Sequence, residues 1–113
     1  MNNRIDFFGD LTSDGPMLQW TARNVGHEAL AAGSTHDYLL LFDAHQMMVT
    51  EEKITRQGDL PPGDIYEGFA YIEQPDGAYG GYLTLDQDGD VATIGARQRE
   101  FRIRVASGVV TVE

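Results

Sequence analysis

The chain contains no cysteine, only 8 lysine and arginine residues among 113, and no apolar run longer than one β-strand. Without cysteine there is no disulfide framework, no thiol nucleophile and no cysteine-ligated zinc. The few cations are outnumbered by 18 acidic residues, and the formal net charge of −10 argues against binding a nucleic-acid backbone. The longest apolar run, residues 38–42, is far shorter than the roughly 20 residues of a membrane-spanning helix. We therefore expect neither nucleic-acid binding nor membrane insertion.

The composition is that of one folded domain. Hydrophobic residues make up 42% of the chain and aromatic residues 10%, which is too apolar for a disordered chain and enough for an ordinary core. We therefore expect residues 1–113 to form a single domain. Residues 1–8 contain no basic region followed by an apolar run, so we expect no signal peptide in this chain.

Turn-forming residues divide the chain into segments of 6 to 12 residues, which is typical of an all-β fold. Residues 17–24 and 101–105 alternate between apolar and polar, as half-buried strands do. Residues 37–43 are nearly all apolar, which indicates a strand covered on both faces. Charges interrupt residues 46–55 and favour an edge strand there. The pattern predicts an all-β, antiparallel β-sandwich of about seven strands. Residues 28–32 are the one helical possibility, and we expect a loop there.

Three further expectations concern the core. Residues 64–72 carry apolar side chains at both parities, so we expect both faces of that strand to be mostly buried. Gly81 stands in the middle of an apolar face, and we expect Trp20 of the opposite sheet to fill the space above it. The predicted core comprises Trp20, Leu41, Phe69, Tyr79, Leu83, Phe101 and Ile103.

Three motifs follow one another in an order that resembles a known family. They are the strand 18–23 closing on Asn24-Val25-Gly26, the Leu60-Pro61-Pro62-Gly63 segment before an aromatic strand, and Gly77-Ala78-Tyr79 followed by Leu83, Leu85 and Asp86. Together with Asp10-Leu11 they resemble the CARDB family, the cell-adhesion-related domain of bacteria and archaea, over residues 10–105. The resemblance implies an immunoglobulin-like sandwich without catalytic residues, acting in adhesion or protein interaction as a module of exported or cell-surface proteins. Residues 92–96 depart from the family's pattern, which has a Glu followed by paired Asn residues there.

Asp86, Asp88 and Asp90 stand at alternate positions and could converge on one calcium ion. An EF-hand loop beginning at Asp86 would need glycine at its sixth position and glutamate at its twelfth, where this chain has Val91 and Arg97. The alternative is a solvated hairpin turn, because Asp-Gly is a strong turn signal. We keep both interpretations: a turn, and a weak calcium site that would make the chain a calcium-dependent binding domain.

Arg97, Arg99, Arg102 and Arg104 hold half of the positive charge of the chain. They could form a contact stripe for an acidic protein partner or for another copy of the chain. The alternative is a solvent-exposed face on which these arginines form ion pairs with acids of a neighbouring strand. Each such pair would stabilise the fold by roughly 0.5 kcal/mol.

No catalytic constellation is evident, so we expect no enzyme. His36 and His45 flank one strand, roughly 30 Å apart at the rise of a strand, and cannot share an ion. His27 and His36 could approach across a loop, but zinc needs three or four ligands. The serines lack the Gly-x-Ser-x-Gly context of a nucleophile elbow.

The two ends of the chain are apolar, with Ile5, Phe7 and Phe8 at one end and residues 109–112 at the other. These segments either pack on their own sandwich or add strands to another subunit. The second alternative would make the chain a structural subunit of a filament or particle.

Overall fold

The computed structural model describes residues 4–88 and 91–113, and within them the chain forms strands and no helix, so it contains no helix that could cross a membrane. The strands are β1 Ile5–Phe7, β2 Thr12–Asp14, β3 Met17–Asn24, β4 His36–Phe42, β5 Met48–Thr55, β6 Ile65–Tyr71, β7 Gly77–Asp88, β8 Val91–Ala106 and β9 Val109–Val112. The predicted all-β fold with antiparallel pairing is confirmed.

The strands form two antiparallel sheets. One has β3 at its centre, with β6 along one edge and both β1 and β2 along the other, so that these two short strands form a single interrupted edge. The other sheet has the order β5-β4-β7-β8-β9. The β5 strand ends this sheet, which confirms the predicted edge strand.

The two sheets meet along one side of the sandwich. The backbone N–H of Val110 in β9 donates to the carbonyl of Gly15 beside β2, at 2.8 Å. The guanidinium of Arg99 in β8 lies 4.3 Å from the ring centroid of Phe7 in β1. Both terminal strands are thus paired within their own chain, as the first interpretation of the apolar ends predicts. On the opposite side, β6 and β5 are left as the outer strands of their sheets.

The core lies between the sheets and contains the alternate residues of their strands. Six of the seven predicted core residues are buried there: Trp20, Leu41, Tyr79, Leu83, Phe101 and Ile103. The seventh, Phe69, is 52% exposed, so its place in the predicted core is wrong. Only one face of β6 packs against the other sheet, and Phe69 lies on the opposite face. In β4 the side chains of one face are only half-buried, so the prediction of a strand covered on both faces is also wrong.

The glycine that accommodates Trp20 is Gly68, and the pairing predicted between Trp20 and Gly81 is wrong. Gly68 is the direct partner of Trp20 on the neighbouring strand, and a Cβ atom at Gly68 would collide with the indole ring. At Gly81 a Cβ atom would stand 2.5 Å from both the Leu40 carbonyl oxygen and the Phe101 ring. In both cases the glycine makes room for a ring on its own sheet rather than on the opposite one.

Gly81→Ala is expected to destabilise the fold by about 2 kcal/mol, because the Leu40 carbonyl is backbone and cannot yield to the added methyl group. Gly80→Ala is the matched control, since the nearest atom to its Cβ position is 3.9 Å away. Urea unfolding of both variants measures the difference. Equal free energies of unfolding would contradict the close packing at Gly81.

Candidate functional site

The outer face of β6 carries a strip of exposed apolar side chains. Ile65, Phe69 and Tyr71 are 47%, 52% and 58% exposed, and we call them the β6 strip. The rings of Phe69 and Tyr71 meet edge to face, with centroids 6.0 Å apart. Exposed large apolar side chains scattered singly are common, but a set aligned along one strand marks a candidate contact surface.

The same residues also expose their main-chain groups. The carbonyl of Asp64 accepts from Asn24 of β3, and the N–H of Ile72 donates to Pro16. Main-chain groups of successive strand residues point to opposite sides, so even-numbered residues of β6 bind β3 and odd-numbered residues turn away from it. Within the described residues no strand pairs with that free edge. The β6 edge therefore offers hydrogen-bonding groups and apolar side chains together.

On the same side of the sandwich, the edge of the second sheet is formed by β5 and is protected. Glu51, Glu52 and Lys53 of β5 are exposed, and charges on an edge strand discourage pairing with another strand. The side-chain amide of Gln74 donates to Thr50 Oγ1 at 3.1 Å, which covers part of the same edge. Of the two edges, β6 is the one suited to receive a partner.

The charges carried by β6 and by the residues that flank it are negative. No lysine or arginine occurs between Arg56 and Arg97, and this stretch includes Asp64, Glu67 and Glu73 on or beside β6. Glu67 and Glu73 are odd-numbered, like the three residues of the β6 strip, and therefore belong to the same face of the strand. Two acids on that face are the sequence pattern that could have predicted its exposure to solvent.

A buried carboxylate joins the two sheets behind β6. Asp37 of β4 accepts hydrogen bonds from Trp20 Nε1 at 2.8 Å and from the Tyr66 hydroxyl at 2.7 Å. Burial raises the pKa of Asp37 to about 6, although both hydrogen bonds and the nearby Arg56 act in the opposite direction. Burial also raises the pKa of the Tyr66 phenol above its usual range, and the adjacent Asp37 adds to this effect.

A second buried carboxylate, Asp86, forms a two-point ion pair with Arg4. Arg4 Nε donates to Oδ2 at 2.9 Å and the terminal nitrogen to Oδ1 at 2.6 Å. The Asp88 side chain and the whole of Asp90 lie outside the described residues. Among the side chains that are described, no three acids or histidines are grouped around a potential metal position. The calcium site stays a prediction, in which Asp86 would have to share its carboxylate with Arg4.

The four arginines of β8 lie on both faces of the strand. Arg97 and Arg99 have the parity of the buried residues and reach across to β1, where Arg97 lies 3.6 Å from a carboxylate oxygen. Arg102 and Arg104 have the opposite parity, and Arg104 lies 3.5 Å from Glu113. The structure does not bring all four together into one stripe, and their role in binding a partner stays a prediction.

An open cleft of about 850 Å³ lies at the Arg4 end of the sandwich. Its walls come from Arg4, Asn24 and the loop of residues 25–31. Neither Asp37 nor Asp86 lines it. The cleft nevertheless adjoins one of them, because Arg4, which lines it, donates two hydrogen bonds to Asp86.

The comparisons with known proteins do not assign the chain to a family. No family model matches it, and a search of curated proteins finds no match to its sequence. The resemblance to CARDB stays a prediction, and the functional argument depends on the geometry of the sandwich.

Stability is expected to depend on the protonation of Asp37. Its folded pKa of about 6 lies above the ordinary value of 3.8, so the folded state holds a proton more tightly and loses stability as pH rises between these values. The effect of this carboxyl is roughly 3 kcal/mol at most. Asp37→Asn removes the titratable group. The free energy of unfolding of wild type should therefore increase, relative to that of the variant, as the pH falls from 7 to 4.

Urea unfolding at several pH values measures this difference. Asp10→Asn, at an exposed carboxylate, controls for the change in net charge. If wild type and Asp37→Asn change in parallel across the range, Asp37 does not titrate as a buried group.

Proposed function

We propose that this chain is a non-catalytic protein-interaction module with immunoglobulin-like topology, which binds its partner through the β6 strip and the adjoining free edge. The CARDB resemblance implies the same class of function, adhesion or protein interaction at a cell surface. The observation that carries the proposal is the coincidence, on one strand, of exposed aromatic side chains and unpaired main-chain groups. Partners that add a strand to a free sheet edge use both features.

The strand neighbours support immunoglobulin-like topology. In that fold the second and fifth strands pair in one sheet, and the third, sixth and seventh pair in the other. The interrupted edge formed by β1 and β2 counts here as the first strand, so β3 is the second strand and β6 the fifth, and these two are paired. The third, sixth and seventh strands are then β4, β7 and β8, which are neighbours in that order in the other sheet.

A tyrosine at the corner between the sheets adds to this support. The hydroxyl of Tyr79, near the start of β7, donates to the carbonyl of Pro75 at 2.6 Å. Immunoglobulin domains have a tyrosine that bonds back to upstream backbone near the start of the equivalent strand.

The β6 strip supplies the kind of contact that dominates protein interfaces. Aromatic side chains contribute most of the binding energy in many interfaces, and they do so best when neighbouring contacts exclude water. The rings of Phe69 and Tyr71 meet edge to face, so together they offer a partner one continuous aromatic surface.

Panning a library of extended peptides against the intact chain tests the proposal. Clones that bind are expected to lose at least tenfold in affinity with Phe69→Ser, because an interface residue of this type contributes about 1.4 kcal/mol or more. Met47→Ser is the matched control, since Met47 is 63% exposed and lies away from β6. Titration of purified peptides measures both affinities, and binding that ignores Phe69→Ser would overturn the proposal.

A further inference from the structure

We infer that the partner of β6 is an extended segment in which basic residues alternate with apolar ones, added as a new strand along the free edge. The inference rests on the proposed function and specifies the chemistry of the partner. It comes from the register that an added strand would have to adopt and from the charge around the edge.

The backbone geometry fixes which side chains of a partner meet the β6 strip. An added strand would exchange hydrogen bonds with the odd-numbered residues of β6, because those residues turn their main-chain groups outward. Partner residues opposite Ile65, Phe69 and Tyr71 would lie beside them on the outer face, about 5 Å away in cross-strand pairs. Apolar side chains or the stems of long cations fit these positions.

Glu67 stands in the middle of the strip and selects a cation. It lies between Ile65 and Phe69 on the same face of β6, so one partner residue must sit directly opposite its carboxylate. An opposite charge stabilises a cross-strand pair, whereas a like charge destabilises it. A lysine or arginine at this position would also find an aromatic face close by on Phe69.

The other charges on and beside β6 favour the same basic partner. Asp64, Glu67 and Glu73 lie on or beside β6, which itself contains no cation, and Arg56 approaches the strand at Tyr66, 6.0 Å from its ring centroid. On the outer face, Arg23 is the cross-strand neighbour of Ile65, and its guanidinium lies 5.8 Å from the Phe8 ring centroid. A negative surface raises the encounter rate with cationic segments and disfavours acidic ones.

A second copy of this chain fits the edge less well. Pairing β6 with β6 would bring two sets of Asp64, Glu67 and Glu73 together with no cation on either strand. Each copy also carries a formal net charge of −10. Self-association through β6 is therefore an outcome that the test must distinguish from binding of a basic segment.

Three synthetic peptides provide the test. The first is Val-Thr-Lys-Thr-Val-Thr-Lys-Thr-Val, which presents valine and lysine alternately on one face in either direction of pairing. The second has glutamate in place of both lysines. The third has proline in place of the central valine, which removes an edge N–H and interrupts the strand. Each carries a fluorophore and is titrated with the intact chain by fluorescence anisotropy.

We expect the lysine peptide to bind at least tenfold more tightly than either of the other two, with affinity falling as salt increases. Glu67→Gln should weaken it several-fold and Phe69→Ser by tenfold or more. Glu52→Gln on β5 is the matched control for loss of one edge carboxylate and should leave the affinity unchanged. Amide exchange at Glu67 and Phe69 should slow in the complex, because an added strand occupies their N–H groups.

The alternative outcomes are separable. If the glutamate peptide binds as well as the lysine peptide and Phe69→Ser weakens both, the inferred charge is wrong and the proposed function stands. If neither peptide depends on Phe69, both the inference and the proposed function are overturned. A solution mass that reports a dimer abolished by Phe69→Ser assigns the edge to a second copy and also overturns the inference.

Discussion

The hydrogen bonds that Trp20 and Tyr66 donate to the buried Asp37 carboxylate fix how the two sheets lie against one another. They join β4 of one sheet to β3 and β6 of the other within the core. Holding the Tyr66 hydroxyl inside also sets the parity of β6, because side chains of a strand alternate between its two faces. The exposure of Phe69 and Tyr71 is therefore linked to the interior contact that Tyr66 of the same strand makes with Asp37.

The sandwich is closed on one side and open on the other, and the proposed partner would bind on the open side. On the closed side, short terminal strands and the long arginine side chains of β8 bridge the gap between the sheets. On the open side, each sheet ends in a full-length strand. The sequence treats these two strands differently: β5 carries charges at its centre, whereas β6 carries aromatic residues and a single glutamate. Only the first of these patterns discourages the approach of another strand.

Much of this architecture can be predicted from the sequence, and the failures have physical causes. The alternation in β3 and β8 predicts their buried faces correctly, because a strand with one wet face needs polar residues at every second position. The same reasoning fails for β6, since an aromatic residue on an exposed face has the same hydrophobicity as one in a core. The prediction that Gly81 accommodates Trp20 fails for another reason. The indole lies over the neighbouring strand of its own sheet, and only the strand register identifies the residue beneath it as Gly68.

The candidate site was harder to predict than the fold. An aspartate such as Asp37 is expected at the surface, because an isolated buried charge is costly. Two donors from the other sheet and the nearby Arg56 offset part of that cost. Those donors come from residues 17 and 29 positions away in the chain. The arginines of β8 can be counted in the sequence, but their division between two faces depends on strand parity.

The contact between Trp20 and Gly68 constrains which residues can be substituted at these two positions during evolution. While the indole lies across residue 68, no larger residue fits there, and a smaller residue at position 20 would leave a void and remove one donor to Asp37. Replacement of either residue alone gives a less stable protein. Substitutions at the two positions should therefore occur together or not occur. Among descendants of this sequence, covariation between these two positions would record the contact long after overall similarity had faded.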